Sequence, residues 1–336
     1  MKMKIITLLS LIAFLVNSSA TAGDAKKLAQ TGMKFLQVSL DAKMAGMGDA
    51  TTALDNLGVS GLFSNPASIA RQTNFIEATT GQIRWIADIN YYAGGITIAP
   101  ENGNYGVIGL SFMFVNYGDF IGTIRNNQGY VETGIFNPNA YAFGITYAKA
   151  LNDKFSIGGS VKYALQNLTA GIVNISDVDI TKTNYKPNSL VFDFGVLYHT
   201  GIQSLDFAAY VKNFSKDIQL ERSQEKFQLP LTFRVGFAYN LSDMLELDKN
   251  DYSIQLAFDS VVPRDNVEEV DLGVEFKFMN SLAIRGGYLS GKDEYSVTGG
   301  IGFTQSYAGY SIGVDYAYIP WTVFADVHKF SIHFGI

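Results

Sequence analysis

The sequence predicts an all-β protein, a transmembrane antiparallel β-barrel of about 14 strands preceded by a plug-like N-terminal segment. Three observations carry this reading. From about Asn74 onward the chain falls into segments of roughly ten residues that alternate large apolar with polar or small side chains, the length and period of a tilted strand in an outer membrane. After the first residues no stretch reaches the about 18 uninterrupted apolar residues of a membrane-crossing helix. The composition, 47% hydrophobic with 33 Gly, 24 Phe and 19 Tyr but only 17% charged and 7 Pro, suits many strands joined by tight turns.

Taken in order, Met1-Lys2-Met3-Lys4, the apolar run Ile5 to Val16 and Ala20-Thr21-Ala22 make the basic, apolar and small-x-small parts of a secretory signal peptide. Residues 1–22 are therefore expected to be removed after about Ala22. The apolar run is too short for a bilayer, which takes about 20 residues. Cleavage takes the formal net charge from −6 to −8, because this stretch holds Lys2 and Lys4 and no acid. An acidic chain with no basic run gives no reason to expect nucleic acid as a partner. The chain has no Cys, which excludes disulfide staples, thiol chemistry and a lipid anchor on an N-terminal Cys.

Residues 23–73 break the strand rule. Ala25 to Met33 can be helical, whereas Ala45-Gly46-Met47-Gly48-Asp49-Ala50 and Ser64-Asn65-Pro66-Ala67 are small-residue and turn-forming stretches suited to a close-packed insert. Such a segment fills the barrel mouth, or packs outside as a periplasmic extension. Residues 74–336 form the barrel, with strands expected at about 74–83, 88–99, 104–116, 139–149, 154–166, 189–199, 203–214, 230–240, 251–261, 267–278, 281–289, 294–304, 307–318 and 324–336. Links after even strands are mostly short, and the long links Tyr117 to Asn139, Asn167 to Asn188 and Ser215 to Leu229 follow odd ones; Leu241 to Asn250 is longer than expected on its side. Short turns are periplasmic and long loops external, which puts both chain ends on the periplasmic side.

Register follows from alternation. Val270, Leu272, Val274, Phe276 and Phe278 share one face; Asp271, Gly273, Glu275 and Lys277 share the other. The large face meets outer-membrane lipid. The inner face then carries Lys162, Asp193, Arg234, Asp259, Asp271, Glu275, Lys277, Arg285 and Asp315, whose mixed signs point to cross-strand ion pairs more than to a charge-selective path. Trp85, Trp321, Tyr91, Tyr92, Tyr316 and Tyr318 are read as aromatic belts at the membrane interfaces.

No enzyme is expected. The three histidines are His199 at a turn and His328 and His333 in the last strand, five apart and so on opposite faces. Metal-ligand spacing, a phosphate-binding Gly-rich loop and a Gly-x-Ser-x-Gly elbow are all missing, so no catalytic, cofactor or metal residue is assigned.

Phe35-Leu36, Ala42, Ala45-Gly46-Met47-Gly48, Ala50, Ala53 and Asn65-Pro66-Ala67, together with Asp315-Tyr316-Ala317-Tyr318, Phe324 and His328-Lys329-Phe330-Ser331, resemble the two ends of the PorV/PorQ family, within the FadL-like outer-membrane barrels. Asp49 after Gly48, Ser64 before Asn65 and the terminal Ile336 depart from that pattern. The resemblance implies residence in the outer membrane of a diderm bacterium, with Ala45, Gly46, Met47, Gly48, Asn65, Pro66 and Ala67 as the plug motif. It implies a component of a type IX secretion apparatus that docks the translocon, or cargo with a C-terminal β-domain. The alternative it implies is a passive transporter of long-chain fatty acids or other hydrophobic small molecules.

Overall fold

A computed structural model describes residues 31–126, 129–168, 170–175, 180–219, 226–248 and 251–336. The expected signal peptide and residues 23–30 lie outside them. Described residues begin with an inner segment of short elements: 3-10 turns at Lys34–Gln37, Gly58–Phe63 and Pro66–Arg71, and helix α1 (Ala42–Gly46). Fourteen antiparallel strands follow: β1 (Ile76–Arg84), β2 (Asn90–Ile98), β3 (Val107–Asn116), β4 (Asn139–Ala150), β5 (Phe155–Asn167), β6 (Asn188–His199), β7 (Leu205–Ser215), β8 (Thr232–Asn240), β9 (Tyr252–Pro263), β10 (Glu269–Phe278), β11 (Leu282–Leu289), β12 (Val297–Tyr307), β13 (Tyr310–Ile319) and β14 (Val327–Gly335). They pair in chain order and β14 returns to β1, so the sheet is a closed barrel with no free edge. Closure is what a membrane demands, because lipid cannot satisfy an unpaired N–H or C=O.

Each strand falls within about three residues of the span read from the sequence. The largest displacement is the β12–β13 turn, which lies at Ala308-Gly309 and not at Gln305-Ser306. Both turn residues have positive φ, 51° and 87°, the two-residue hairpin geometry that matches strand twist.

Alternation sets the two faces as expected. On β13, Gly313, Asp315, Ala317 and Ile319 are buried inside, and Ile312, Val314, Tyr316 and Tyr318 stand outside. Long loops follow β3, β5 and β7 and contain two-stranded ribbons: Phe120–Asn126 with Gly129–Phe136, Ala170–Ile175 with Ile180–Asn184, and Ile218–Gln219 with Lys226–Phe227. The link after β8 owes its length to helix α2 (Leu241–Leu245), capped by the Asn240 side chain on Ser242 N.

Ile336 exchanges backbone hydrogen bonds with Ile76 at the short-turn end. At the long-loop end Thr31 bridges Gln228, and Arg71 reaches the short turn at Asn152. Residues 31–71 thus descend the interior from the external to the periplasmic mouth, while the N-terminus itself is outside the described residues.

Replacing Val314, near the middle of β13 on the lipid face, by Arg is expected to cost about 2–4 kcal/mol in equilibrium unfolding from a bilayer. An unchanged midpoint would mean that this face is not in lipid.

Candidate functional site

The inner segment meets the wall where the wall has no side chain. Asn65, fully buried, is the N-cap of the Pro66–Arg71 turn and accepts from Ala67 N at 3.0 Å. Its amide donates to Thr52 O (2.9 Å) within the segment and to Val196 O (3.1 Å) on β6. A hydroxyl or carboxylate cap could not make both donations. Pro66 takes the first helical position, where a missing N–H is harmless. A Cβ at Gly158 of β5 would lie 2.6 Å from Ala67 N.

Ala45, Gly46, Met47 and Gly48 end α1 against β10 to β12 in the same way. A Cβ on Gly46 would stand 3.1 Å from Gly300 Cα, and one on Gly273 would stand 3.2 Å from Met47 Cβ. Gly48 has φ 63°, the left-handed region that glycine enters freely. Asp49 follows it with φ 58°, an unusual backbone for a non-glycine residue, and its carbonyl accepts from Arg234 at 2.9 Å. On β8, Gly236 would place a Cβ 2.8 Å from Thr52 Cβ. The two motif stretches therefore dock at separate strands of one wall.

Charge on the inner face is paired across strands. Lys162 lies 2.7 Å from Asp193, and Arg285 spans Glu275 (2.6 Å) and Asp315. Arg234 lies 3.4 Å from Asp259 and 3.3 Å from Asp271, which stand directly opposite each other on β9 and β10. Asp259 also accepts from Thr51 N, Thr52 N and Thr52 Oγ1, so a wall carboxylate holds the segment's backbone. Lys329 donates to Ser39 O and Lys212 to Phe63 O, two further ties.

At the external mouth Asp265, in the β9–β10 loop, accepts from Thr31, Lys34 and Gln37. Burial works to raise its pKa, but those donors and the Lys34 charge outweigh it and hold the carboxyl below its ordinary value. Trp85, Tyr91, Tyr295 and Trp321 close this mouth from inside. Trp85 and Trp321 meet edge to face at 5.4 Å, Tyr295 lies 4.9 Å from Trp321, and Lys329 sits 5.7 Å over Trp85. This corrects the belt reading for Trp85, Trp321 and Tyr91. Tyr91 and Tyr92 are neighbours in a strand, so only one can face lipid, and it is Tyr92 that does. Tyr316 and Tyr318 also face outward.

His328 faces out, bonded to Tyr316 Oη at 2.7 Å, and His333 faces in, 3.1 Å from Asp315. Asp55, His199 and Asp206 bring ligand atoms within 4.8 Å of one another at the periplasmic rim, an arrangement able to hold a cation. Sequence spacing could not reveal it, because Asp55 belongs to the inner segment and the other two end adjacent strands. His199 Nδ1 is already 2.6 Å from Asp206.

A family model described as "Type IX secretion system membrane protein PorP/SprF" matches residues 107–321. No curated protein matches. Among solved structures, the fold resembles the CymD monoaromatic hydrocarbon channel, with TM-score 0.56 and 12% identity over 88% of this chain and 97% of that one. It also resembles the Pseudomonas putida toluene transporter TodX, with TM-score 0.56 and 10% identity over 88% and 96%. These likenesses show the outer-membrane barrel fold.

Asn65→Asp keeps the shape and the cap but loses both amide donations, leaving the buried Thr52 carbonyl without its donor at about 1–3 kcal/mol. Faster proteolysis between residues 31 and 72, with the barrel intact, is the expected result. Asp265 contributes stability that is present above its unfolded value of about 3.9 and lost as pH falls through its lower folded value. Acid unfolding monitored at the external mouth should show this loss below about pH 4 in the wild type and not in Asp265→Asn.

Proposed function

We propose, on the premise that this chain belongs to the type IX secretion system membrane protein PorP/SprF family, that it is a closed outer-membrane barrel that docks proteins of that apparatus. The observation that carries the reading is the extent of the family match. It runs from β3 to the loop before β14 and takes in all three external ribbons. The ribbon Phe120–Asn126 with Gly129–Phe136 exposes Ile121, Tyr130 and Ile135, each more than 60% accessible, beyond the strands where lipid would cover them. Large exposed apolar groups outside lipid suit a protein contact. In this reading the inner segment is the plug, and Ala45 to Gly48 with Asn65 to Ala67 are its locking residues.

The finer assignment, a PorV/PorQ-like subunit receiving cargo with a C-terminal β-domain, rests on the residue resemblance at the two ends of the chain. Export by a signal peptide cleaved after about Ala22, into the outer membrane of a diderm bacterium, belongs to the same reading. So does the lack of a catalytic role, since His328 and His333 lie on opposite faces of the wall.

A second reading, passive passage of a hydrophobic molecule, is favoured by the aromatic cluster at the external mouth and the shared fold with CymD and TodX. It ranks lower because the family match supports the docking reading. The cavity beside Leu36, Leu40, Leu62 and Phe63, which Lys162, Asp193 and Lys212 also line, measures about 30 Å³, less than the about 150 Å³ of an engineered apolar cavity that takes benzene.

Affinity capture of the tagged protein from its native outer membrane, with mass spectrometry of bound proteins and lipids, separates the two. Stoichiometric recovery of a secretion translocon or exported cargo is expected. Recovery of the barrel alone with an apolar ligand would reverse the ranking.

A further inference from the structure

The periplasmic mouth holds a cavity of about 230 Å³ between the inner segment and β10 to β14. It lies beside the exposed Asn56 and Asn280. Its charged lining comes from two sources. The segment supplies Lys43, and the wall supplies Lys277, Arg285, Asp315, His333 and Glu77.

Most of these charges are already matched. Glu275, just behind the lining, lies 3.2 Å from Lys277 and 2.6 Å from Arg285. Asp315 is shared by Arg285 and His333. Asp41, 3.5 Å from His333, accepts from Lys43 N, Met44 N and Ser60 Oγ. Glu77 takes donors from Val59 N and Asn74. Lys43 is the exception. Its ammonium donates to Asn56 O at 2.6 Å, and among the described residues no carboxylate oxygen lies within 4.0 Å of it.

Burial, with Lys277 next, lowers the Lys43 pKa to about 8, the behaviour of a cation whose surroundings do not fully compensate it. An ammonium has three donors. Lys43 commits one to Asn56 O and Lys277 is paired with Glu275, so each keeps donors to spare; the Ser311 hydroxyl also lines the space, whereas that of Ser281 donates to Met279 O at 3.1 Å. The cavity is thus richer in donors than in free acceptors.

We propose that this cavity binds an oxyanion, a carboxylate or phosphate group presented from the periplasm, held by Lys43 and Lys277 with Ser311 as a further donor. The space admits one small group or an acidic side chain and excludes a folded domain. Because Lys43 lies on the inner segment and Lys277 on the wall, an occupant would tie the segment to the barrel at its lower end. The site lies at the mouth opposite the external ribbons and does not depend on the docking reading.

Calorimetric titration of the full chain in detergent with inorganic phosphate, succinate and a hexaglutamate peptide tests this. Saturable binding is expected, weakened by about tenfold or more in Lys43→Gln and Lys277→Gln, largely restored in Lys43→Arg and unchanged in Lys154→Gln at another short turn. Phosphate or succinate binding at least as tightly as the peptide identifies a free anion; the peptide binding about tenfold tighter identifies an acidic segment of a protein. Heat-modified mobility reports folding, and if Lys43→Gln does not fold, Lys277→Gln decides. No saturable binding of any probe up to about 10 mM, or equal binding by the folded lysine variants and wild type, overturns the proposal.

Discussion

The close approach of one backbone to another is the constraint on which this structure depends. Residues 31–72 occupy the interior of a fourteen-stranded barrel, wider than the about eight strands at which side chains alone fill the lumen. They fit because the wall has glycine where the segment touches it, at Gly158, Gly195, Gly236, Gly273, Gly287 and Gly300 on six strands. The segment answers with its own small residues. Gly46 faces Gly300 and Gly48 faces Gly287, so neither side could take a larger residue without displacing the other. Overpacking of this kind typically costs about 1–3 kcal/mol a position.

Close packing leaves backbone groups to be satisfied, and polar residues of the wall and of the segment do this. Asp259 serves Thr51 and Thr52, Asn65 serves Thr52 and Val196, and Ser331 accepts from Ala42 N at 2.9 Å. Asp259 and Asp271 face each other across β9 and β10, which would repel without Arg234 between them. The interior charge is therefore part of how the segment is held. A row of inward charges need not mark an ion path when its members are paired with one another along and across the strands or tied to the segment itself.

Much of the barrel is legible in the sequence, because period-two alternation is local and repeats fourteen times. Val270 to Phe278 suffices to orient β10, and the same rule orients the rest. Contacts across long sequence separations are not legible in this way. Nothing near Gly158 says that Pro66 and Ala67 will lie against it, and nothing near Asp265 announces Lys34. The motif stretches Ala45 to Gly48 and Asn65 to Ala67 were visible as small and turn-forming; which strands they would meet was not. The grouping of Tyr91 with Tyr92 failed where the alternation rule, applied one residue further, would have separated them. Helix α2 explains the one even link that looked too long.

Since the chain has no native Cys, one engineered pair reports the central contact directly. In Ala42→Cys with Ser331→Cys, the wall side chain at 331 already reaches the segment's backbone N at residue 42, at 2.9 Å in the native chain, a separation suited to testing for a disulfide. The measurement is the fraction oxidised in intact outer membranes. Near-complete disulfide formation is the result this account predicts; two thiols that stay free and react with maleimide would contradict it, because the inner segment would then not lie against the wall.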